Sequence, residues 1–322
     1  MKNQDIIEIL ETIKKFQLEI VKTVVSNIKN STSNLSDVSS QGNGDISYKI
    51  DSFAESKIDG LGQKMVSLGY SVEITAEGIG KKKYLAGNNL IPDFAIIIDP
   101  IDGTRGIMYD FRSAFVLTGI APYRPEGNTL DDIEIAVQTE IPTSKQDRIS
   151  ILWAIKNQGV HHQIFDLKTK ELINGPIQTS SEKNLDHGFG IFVNFFPGVK
   201  EKIGQIADFV FQKVQKNKEK DYSVIFDDQY ICNAGQIYLI TTGKYRFVAD
   251  IRPIFGELSG LTAHPYDLCT ILIATEAGAI FTNLNGKKID YPFDTDTKCG
   301  FIAYANQDLQ NLIEPILLPL LK

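Results

Sequence analysis

A run of five apolar residues leads directly into two closely spaced aspartates. Residues 94–104 read Phe-Ala-Ile-Ile-Ile-Asp-Pro-Ile-Asp-Gly-Thr. The length and β-branching of the apolar run favour a buried strand. Pro100 biases Asp99 toward an extended conformation, and Gly103 allows a tight turn directly after Asp102. The sequence therefore predicts a buried strand that ends in neighbouring carboxylates.

This pair of carboxylates predicts a metal site. Carboxylates held close together repel each other unless a cation lies between them. Carboxylate and backbone carbonyl oxygens are the ligands that Mg²⁺ prefers, and the backbone N–H groups around Gly103 and Thr104 could cradle a phosphate at a helix start. Asp, Pro and Gly are also common in purely structural turns. Two aspartates directly after a buried strand favour the metal site over that alternative.

Composition limits the classes of partner. The 322 residues allow two domains, and the net charge of -7 argues against binding to a nucleic acid polymer. Metal ions could still supply positive charge for an anionic substrate. Three widely spaced cysteines are typical of reduced thiols in a cytoplasmic protein. The sequence contains no apolar run of bilayer length, so we expect no membrane partner.

Helices and strands alternate along most of the chain. Helical periodicity predicts helices over residues 4–29, 52–68, 199–216 and 268–277. Short apolar or alternating runs predict strands over residues 71–75, 94–98, 115–121, 133–139, 149–155, 190–194, 223–226, 237–242, 245–249 and 279–282. The polar segments are interpreted as a loop at 30–44, a turn at 81–83 and a domain junction within 156–190. The mixture predicts an α/β or α+β fold, with an N-terminal domain (1–180) that carries the carboxylates and a C-terminal domain (181–322) that completes the site.

Three segments resemble the inositol monophosphatase family. Residues 99–104, Asp-Pro-Ile-Asp-Gly-Thr, resemble the family's signature hexapeptide. Residues 45–51, Asp-Ile-Ser-Tyr-Lys-Ile-Asp, resemble the segment before the first long helix of the catalytic core, and Tyr266-Asp267 with residues 268–278 resembles the C-terminal metal-ligand motif. The resemblance spans about residues 45–290 and implies a layered α/β/α/β/α sandwich.

The resemblance also implies an activity, which is Mg²⁺-dependent hydrolysis of a small phosphate monoester. Two or three Mg²⁺ ions would be held by one set of ligands: Glu77, Asp99, the carbonyl of Ile101, Asp102 and Asp267. Asp51 and Thr104 would orient and activate the attacking water, with Glu77 also in a catalytic role. Family membership further implies inhibition by Li⁺ and a homodimer.

The chain departs from the family pattern at both ends of the implied site. The family has two adjacent glutamates before the signature, whereas Glu77 is followed here by Gly78, and Glu73 is the alternative ligand. Tyr266 stands in place of the usual tryptophan, and Asp267 lies one residue closer to the following glycine than is usual. Since one residue rotates a helix by about 100°, the start of that helix must differ if Asp267 is to point inward.

The substrate is less constrained than the reaction. Gly103 and Thr104 are predicted to bind the phosphate, Asp250 to contact a sugar hydroxyl, and Arg252 to bind a further anionic group. Arg105 and Arg112 are further candidates for anion binding. A polyol or sugar phosphate is favoured, with a phosphoadenosine-type nucleotide or histidinol phosphate as alternatives.

Two other classes of protein stay open. Haloacid-dehalogenase-like phosphatases also place an aspartate pair after an apolar strand, but with one intervening residue rather than the two found here. In that class the first aspartate, here Asp99, would be the nucleophile. A relative that binds its ligand without turnover is the non-enzymatic alternative.

Overall fold

The computed structural model describes residues 3–30, 38–41, 46–48, 56–215, 224–259 and 261–322. Asp51 and the first residues of the helix predicted over 52–68 lie outside these residues. None of the helices within the described ranges is long and apolar enough to cross a membrane.

The helices are spread along the whole chain. The α-helices are α1 (Asn3–Asn30), α2 (Ile58–Ser67), α3 (Thr104–Ile107), α4 (Lys200–Val214), α5 (Asn233–Thr241), α6 (Ile271–Glu276) and α7 (Gln307–Leu317). The 3₁₀ segments are Leu130–Asp132, Arg252–Ser259, Pro265–Leu268 and Leu318–Leu321. The second of these segments is kinked at Gly256.

The strands form a short hairpin and two larger sheets. They are β1 (Val38–Gln41), β2 (Ile46–Tyr48), β3 (Val72–Ala76), β4 (Gly80–Tyr84), β5 (Phe94–Asp102), β6 (Ala114–Pro122), β7 (Ile135–Ile141), β8 (Arg148–Ile155), β9 (Val160–Asp166), β10 (Leu172–Asn174), β11 (Gly188–Phe192), β12 (Ile225–Phe226), β13 (Tyr245–Asp250), β14 (Ile280–Thr282) and β15 (Phe301–Tyr304). An eight-stranded sheet has the order β10-β9-β8-β7-β6-β5-β3-β4, and β3–β5 is its parallel pair. A five-stranded sheet has the order β12-β11-β13-β15-β14, with β11 parallel to both of its neighbours.

The central strands of the eight-stranded sheet, β5 to β8, are buried on both faces. Because side chains alternate along each strand, neighbouring residues contribute to two different cores. Ile96 and Ile98 of β5 pack on one face with residues of α1 and α2, including Ile13. Ala95 and Ile97 point to the opposite face, where they join a core that contains residues of α5 and α6. We call this second region, between the two sheets, the central layer.

The five-stranded sheet closes the other side of the central layer. Val248 of β13 faces the central layer, whereas Phe247 packs outward with Ile203 of α4 and Ile313 of α7. The order of layers is therefore α1 and α2, the eight-stranded sheet, α5 and α6, the five-stranded sheet, then α4 and α7. This confirms the predicted mixed α/β fold and the α/β/α/β/α sandwich.

One predicted strand is wrong. Residues 237–242 lie mostly in helix α5, not in a strand. A short apolar run is compatible with a buried helix as well as a buried strand. α5 is packed between two sheets, so it lacks the polar face that would have shown a helical period.

Other predicted loops contain strands. Residues 81–83 lie in β4 rather than in a turn, 30–44 contains β1, and 156–190 contains β9 and β10. β15 and α7 were not predicted. The strands of the eight-stranded sheet lie within residues 72–174, and those of the five-stranded sheet lie within residues 188–304. The division into domains 1–180 and 181–322 remains a prediction.

Candidate metal and phosphate site

Asp99 and Asp102 point to the same side of the eight-stranded sheet, although two residues separate them. In a regular strand, residues three positions apart point to opposite faces. Asp99 pairs with Leu117 and Asp102 with Phe115, so the register of β5 against β6 shifts by one residue between the aspartates. Leu117 and Phe115 both pack in the central layer. The β-bulge therefore directs both carboxylates toward the central layer.

Asp267 reaches the two aspartates from the 3₁₀ helix Pro265–Leu268, which precedes α6. The backbone N–H of His264 donates a hydrogen bond to the Asp267 carboxylate. A 3₁₀ helix has about 3.0 residues per turn, whereas an α-helix has about 3.6. Because Asp267 lies in this separate 3₁₀ turn and not in α6 itself, its side chain points inward although it is one residue closer to Gly278 than is usual. One carboxylate oxygen each from Asp99, Asp102 and Asp267, here called the aspartate triad, lies within 4.8 Å of the others.

Burial and proximity make the triad electrostatically unfavourable by itself. The exposed fractions of Asp99, Asp102 and Asp267 are 1%, 8% and 9%. Burial, and then the charges of Asp102 and Asp267, raises the pKa of Asp99 well above its usual value. Burial also raises the pKa of Asp102 to about 6, although a hydrogen bond from the N–H of Ala234 partly opposes the rise. A cation between these carboxylates would relieve both effects.

The donor atoms around the triad fit a hard divalent cation. Glu77 and Ile101 line the same cleft as the triad, and the Glu77 side chain hydrogen-bonds to Asp99. The site thus combines carboxylate oxygens with a strand-end carbonyl, which is the oxygen-rich set that Mg²⁺ prefers. The residues present therefore suit a magnesium site.

The two glutamates considered as the upstream ligand lie in different surroundings. Glu73 forms ion pairs with Lys81 and Lys83 of β4, at 3.3 and 3.4 Å. Glu77 instead follows β3 and lines the cleft. The geometry favours Glu77 as the ligand.

Gly103 and Thr104 form the turn between β5 and α3. Gly103 has a φ of 103°, and a Cβ there would lie 3.0 Å from Sγ of Cys232 and 3.2 Å from Cα of Ala114. Only glycine adopts this backbone at such close contact without strain. The hydroxyl of Thr104 donates a hydrogen bond to the carbonyl oxygen of Ile101 at 3.0 Å. Both residues line the cleft.

The N-terminus of α5 is a part of the site that sequence reasoning missed. The N–H of Ala234 donates a hydrogen bond to Oδ2 of Asp102. The Cys232 side chain accepts a hydrogen bond from the N–H of Gly235, and its thiol donates to the carbonyl oxygen of Asp102 at 3.2 Å. Cysteine is not a preferred N-cap residue, so this segment carried no recognisable signal of a helix start.

A cleft of about 90 Å³ opens over the triad. Its lining includes the apolar residues Phe195, Phe196, Ile231 and Leu261. The Phe195 and Phe196 rings meet edge to face with centroids 4.9 Å apart. The guanidinium of Arg105 lies 5.4 Å from the Phe196 ring, and Arg105 also lines the cleft.

The other predicted anion ligands are engaged within the protein. Arg252 lines the cleft, but its guanidinium donates to both carboxylate oxygens of Asp250, at 2.6 and 2.8 Å. Asp250 is 0% exposed and is not among the cleft residues, so this arrangement does not place it in contact with a substrate. Arg112 forms a two-point ion pair with Asp228 at 2.6 and 3.1 Å.

Solved structures share this architecture. Leishmania major fructose-1,6-bisphosphatase in its holo form superposes with a TM-score of 0.70 at 15% identity, covering 98% of this chain and 95% of that one. Extragenic suppressor protein suhB from Bartonella henselae gives 0.65 at 15% identity, covering 96% and 98%. A Pyrococcus horikoshii hypothetical protein with similarities for inositol-1 monophosphatase gives 0.59 at 22% identity, covering 94% and 96%.

The fold is the inositol monophosphatase and fructose-1,6-bisphosphatase sandwich. The resemblance found in the signature segments is thereby confirmed at the level of this sandwich fold. No protein-family model and no curated protein sequence matches the chain. In this sandwich the aspartate triad lies between the two sheets, where β5, α5 and the turn before α6 meet.

Proposed function

We propose that this protein is a Mg²⁺-dependent hydrolase of a small phosphate monoester, with an inositol or sugar phosphate as the favoured substrate. The observation that carries the proposal is the buried aspartate triad, in which one carboxylate oxygen of each residue lies within 4.8 Å of the others. The sandwich fold, shared with a fructose-1,6-bisphosphatase, supports it. Burying three carboxylates together is costly unless a cation is part of the functional state.

The proposed metal ligands are the side chains of Glu77 and the triad, with the carbonyl of Ile101. Two or three Mg²⁺ ions held there would supply positive charge that polarises the phosphate and lowers the pKa of a bound water. The N–H of Ala234 holds one oxygen of Asp102, which fixes the orientation of that carboxylate. Preorganisation of this kind suits phosphoryl transfer, which depends mainly on positioning and charge neutralisation.

Thr104 is the proposed water-orienting residue. Its hydroxyl hydrogen is directed at the Ile101 carbonyl, and a hydroxyl that donates one bond retains acceptor capacity for a water proton. Asp51, the second residue proposed for this role, lies outside the described residues. Gly103 and Thr104 are the proposed contacts to the phosphate.

Attack by a protein nucleophile is less favoured. Burial and the charge of Asp102 raise the pKa of the Cys232 thiol, which keeps it protonated. Asp99 is 1% exposed and accepts a hydrogen bond from the N–H of Ile101 at 2.9 Å. Trapping of a phosphoaspartate on Asp99 would nevertheless establish the dehalogenase-like alternative.

The experiment is a phosphate-release assay on inositol, sugar, histidinol and nucleotide monoesters, with Mg²⁺, with EDTA and with added Li⁺. We expect Mg²⁺-dependent turnover that Asp102→Asn abolishes, and the fastest ester identifies the substrate class. Binding of Mg²⁺ without turnover of any ester would favour a binding-only relative. Inhibition by Li⁺, a homodimer and a cytoplasmic location remain predictions.

A further inference from the structure

We propose that Gln138 is a positioning residue, which fixes the geometry of the aspartate triad by joining the start of α5 to the start of α6. Its role rests on the proposed phosphatase function, in which the triad holds Mg²⁺. Gln138 lies in β7, is 1% exposed, and is not among the residues that line the cleft. It therefore acts on the reaction only through the residues that it holds.

The place of Gln138 in the eight-stranded sheet is in line with Asp99. Asp99 of β5 pairs with Leu117 of β6, and Leu117 pairs in turn with Gln138 of β7. On its other side Gln138 pairs with Leu152 of β8, and both leucines pack in the central layer. Directly opposed residues on neighbouring strands lie on the same face of a sheet. The amide of Gln138 therefore enters the same layer as the triad.

The two ends of the Gln138 amide bind two different segments. Its Nε2 donates a hydrogen bond to the carbonyl oxygen of Ala234 at 3.0 Å, and its Oε1 accepts one from the hydroxyl of Thr270 at 3.2 Å. Ala234 is the residue whose N–H holds the carboxylate of Asp102. Thr270 directly precedes α6 and follows the 3₁₀ turn that carries Asp267. One side chain of the sheet thus holds both segments that meet Asp99 in the triad.

Filling space does not require an amide at this position. The strand neighbours of Gln138 in the central layer, Leu117 and Leu152, are apolar, and burying an amide among them has a desolvation cost. The two hydrogen bonds offset that cost and add direction, because a fully paired buried polar group fixes one arrangement of the segments around it. A metal site needs such fixed geometry, since groups that orient the ligands tune the affinity for the ion.

Gln17 provides a matched comparison on the opposite face of the same strands. It lies in α1 and is 0% exposed. Its Nε2 donates to the hydroxyl of Thr118 and to the carbonyl of Val137, both at 2.9 Å. Its Oε1 accepts a hydrogen bond from the hydroxyl of Thr139 at 2.6 Å. The Gln17 amide is as buried as that of Gln138, but it joins α1 to β6 and β7 on the face away from the triad.

The test compares Gln138→Leu with Gln17→Leu and wild type, because leucine removes the hydrogen bonds and keeps a similar volume. We expect Gln138→Leu to weaken Mg²⁺ binding in calorimetry and to lower kcat for the fastest ester, each by about tenfold, since groups that hold metal ligands typically contribute about 10–100-fold. KM at saturating Mg²⁺ should not change. Gln17→Leu should lower the urea midpoint of unfolding in EDTA as much as Gln138→Leu does, but leave Mg²⁺ affinity and kcat unchanged.

Thr270 carries the test if Gln138→Leu does not fold. Thr270→Val removes the hydroxyl that binds Oε1 of Gln138 and should also weaken Mg²⁺ binding. Thr270→Ser keeps a hydroxyl and should recover most of that affinity. In the double variant of Gln138→Leu and Thr270→Val, the loss should be smaller than the sum of the single losses, because both changes break the same link.

The outcomes separate the two proposals. If folded Gln138→Leu binds Mg²⁺ as tightly as wild type, or if Gln17→Leu loses as much affinity, the role of Gln138 is overturned and the phosphatase stands. If wild type binds Mg²⁺ but hydrolyses no ester, the phosphatase fails, and the Mg²⁺ affinities of the same variants still decide the role of Gln138. Wild type that binds no Mg²⁺ would overturn both.

Discussion

The guanidinium of Arg252 donates hydrogen bonds to both carboxylate oxygens of Asp250, and the two side chains are 3% and 0% exposed. This pair is buried beside the cleft, and Arg252 also holds the carbonyl of Leu261. Removing one partner leaves an unpaired buried charge, which costs about 3–5 kcal/mol. We therefore expect Asp250→Ala to lower the free energy of unfolding by that amount, as measured by urea denaturation.

A double-mutant cycle with Arg252→Ala checks this interpretation. The double variant should lose much less stability than the sum of the single variants, because neither charge is then left unpaired. If Asp250→Ala instead unfolds at the wild-type urea concentration and only raises KM for a sugar phosphate, Asp250 contacts the substrate as the sequence predicted.

Because of the triad, the free energy of unfolding of the metal-free protein should depend on pH. The pKa of Asp102 rises from 3.8 to about 6 on folding, chiefly through burial. Well below pH 3.8 the carboxyl is protonated in both states. As the pH rises from there to about 6, the unfolded state loses its proton first, so folding becomes less favourable. This shift corresponds to roughly 3 kcal/mol at neutral pH. In EDTA, Asp102→Asn should therefore be more stable than wild type above pH 6 and similar to it below pH 4.

Mg²⁺ should reverse that order, because a ligand that binds only the folded protein stabilises it. Chemical denaturation of wild type and Asp102→Asn, at pH 4 and pH 7.5 with EDTA or Mg²⁺, measures both effects. A variant that is less stable than wild type in EDTA at pH 7.5 would contradict the electrostatic account of the triad.

Gly103→Ala should reduce both stability and turnover. A Cβ at φ 103° is strained and would lie 3.0 Å from Cys232 Sγ, so we expect a loss of about 2–3 kcal/mol and at least about a tenfold fall in kcat/KM. Gly127→Ala is the control, because Gly127 has a φ of 108° with nothing within 4 Å of the added Cβ. Equal losses of unfolding free energy in both variants would mean that the contact between the added Cβ and Cys232 contributes nothing to the destabilisation of Gly103→Ala.

Glu77→Gln should weaken Mg²⁺ binding and lower turnover, because it removes a carboxylate from the proposed ligand set. Glu73→Gln provides a matched control, since Glu73 pairs with lysines that are about half exposed, and such pairs contribute only about 0–1 kcal/mol. Calorimetry of Mg²⁺ binding to each variant distinguishes them. Loss of binding in Glu73→Gln alone would assign the upstream ligand to Glu73.

The sequence was most informative where structure is local. The strand before Asp99 was predictable because an uninterrupted apolar run of that length is typical of a buried strand. The bulge between Asp99 and Asp102 was not, because it exists only in the register of β5 against β6. Pairing of that kind depends on residues distant in sequence.

The cleft walls depend on tertiary contacts in the same way. Residues 237–242 were predicted as a strand, so the helix start that brings the N–H of Ala234 to Asp102 was missed. Asp250 looked available for a substrate because it ends a strand, whereas its ion pair with Arg252 requires knowledge of side-chain direction. The sequence located the aspartate-bearing turn, and the family resemblance located Asp267, but neither located the start of α5 that packs against them.

The bulge in β5 also bears on how this turn could change in evolution. When one residue separates two aspartates in a strand, the regular alternation of side chains places both on the same face of the sheet. When two residues separate them, a β-bulge is needed to bring both to the same face. Deleting Pro100 or Ile101, or inserting one residue, would therefore force either loss of the bulge or reversal of a carboxylate. Substitutions within this hexapeptide perturb single contacts, whereas a change in its length rearranges the whole triad.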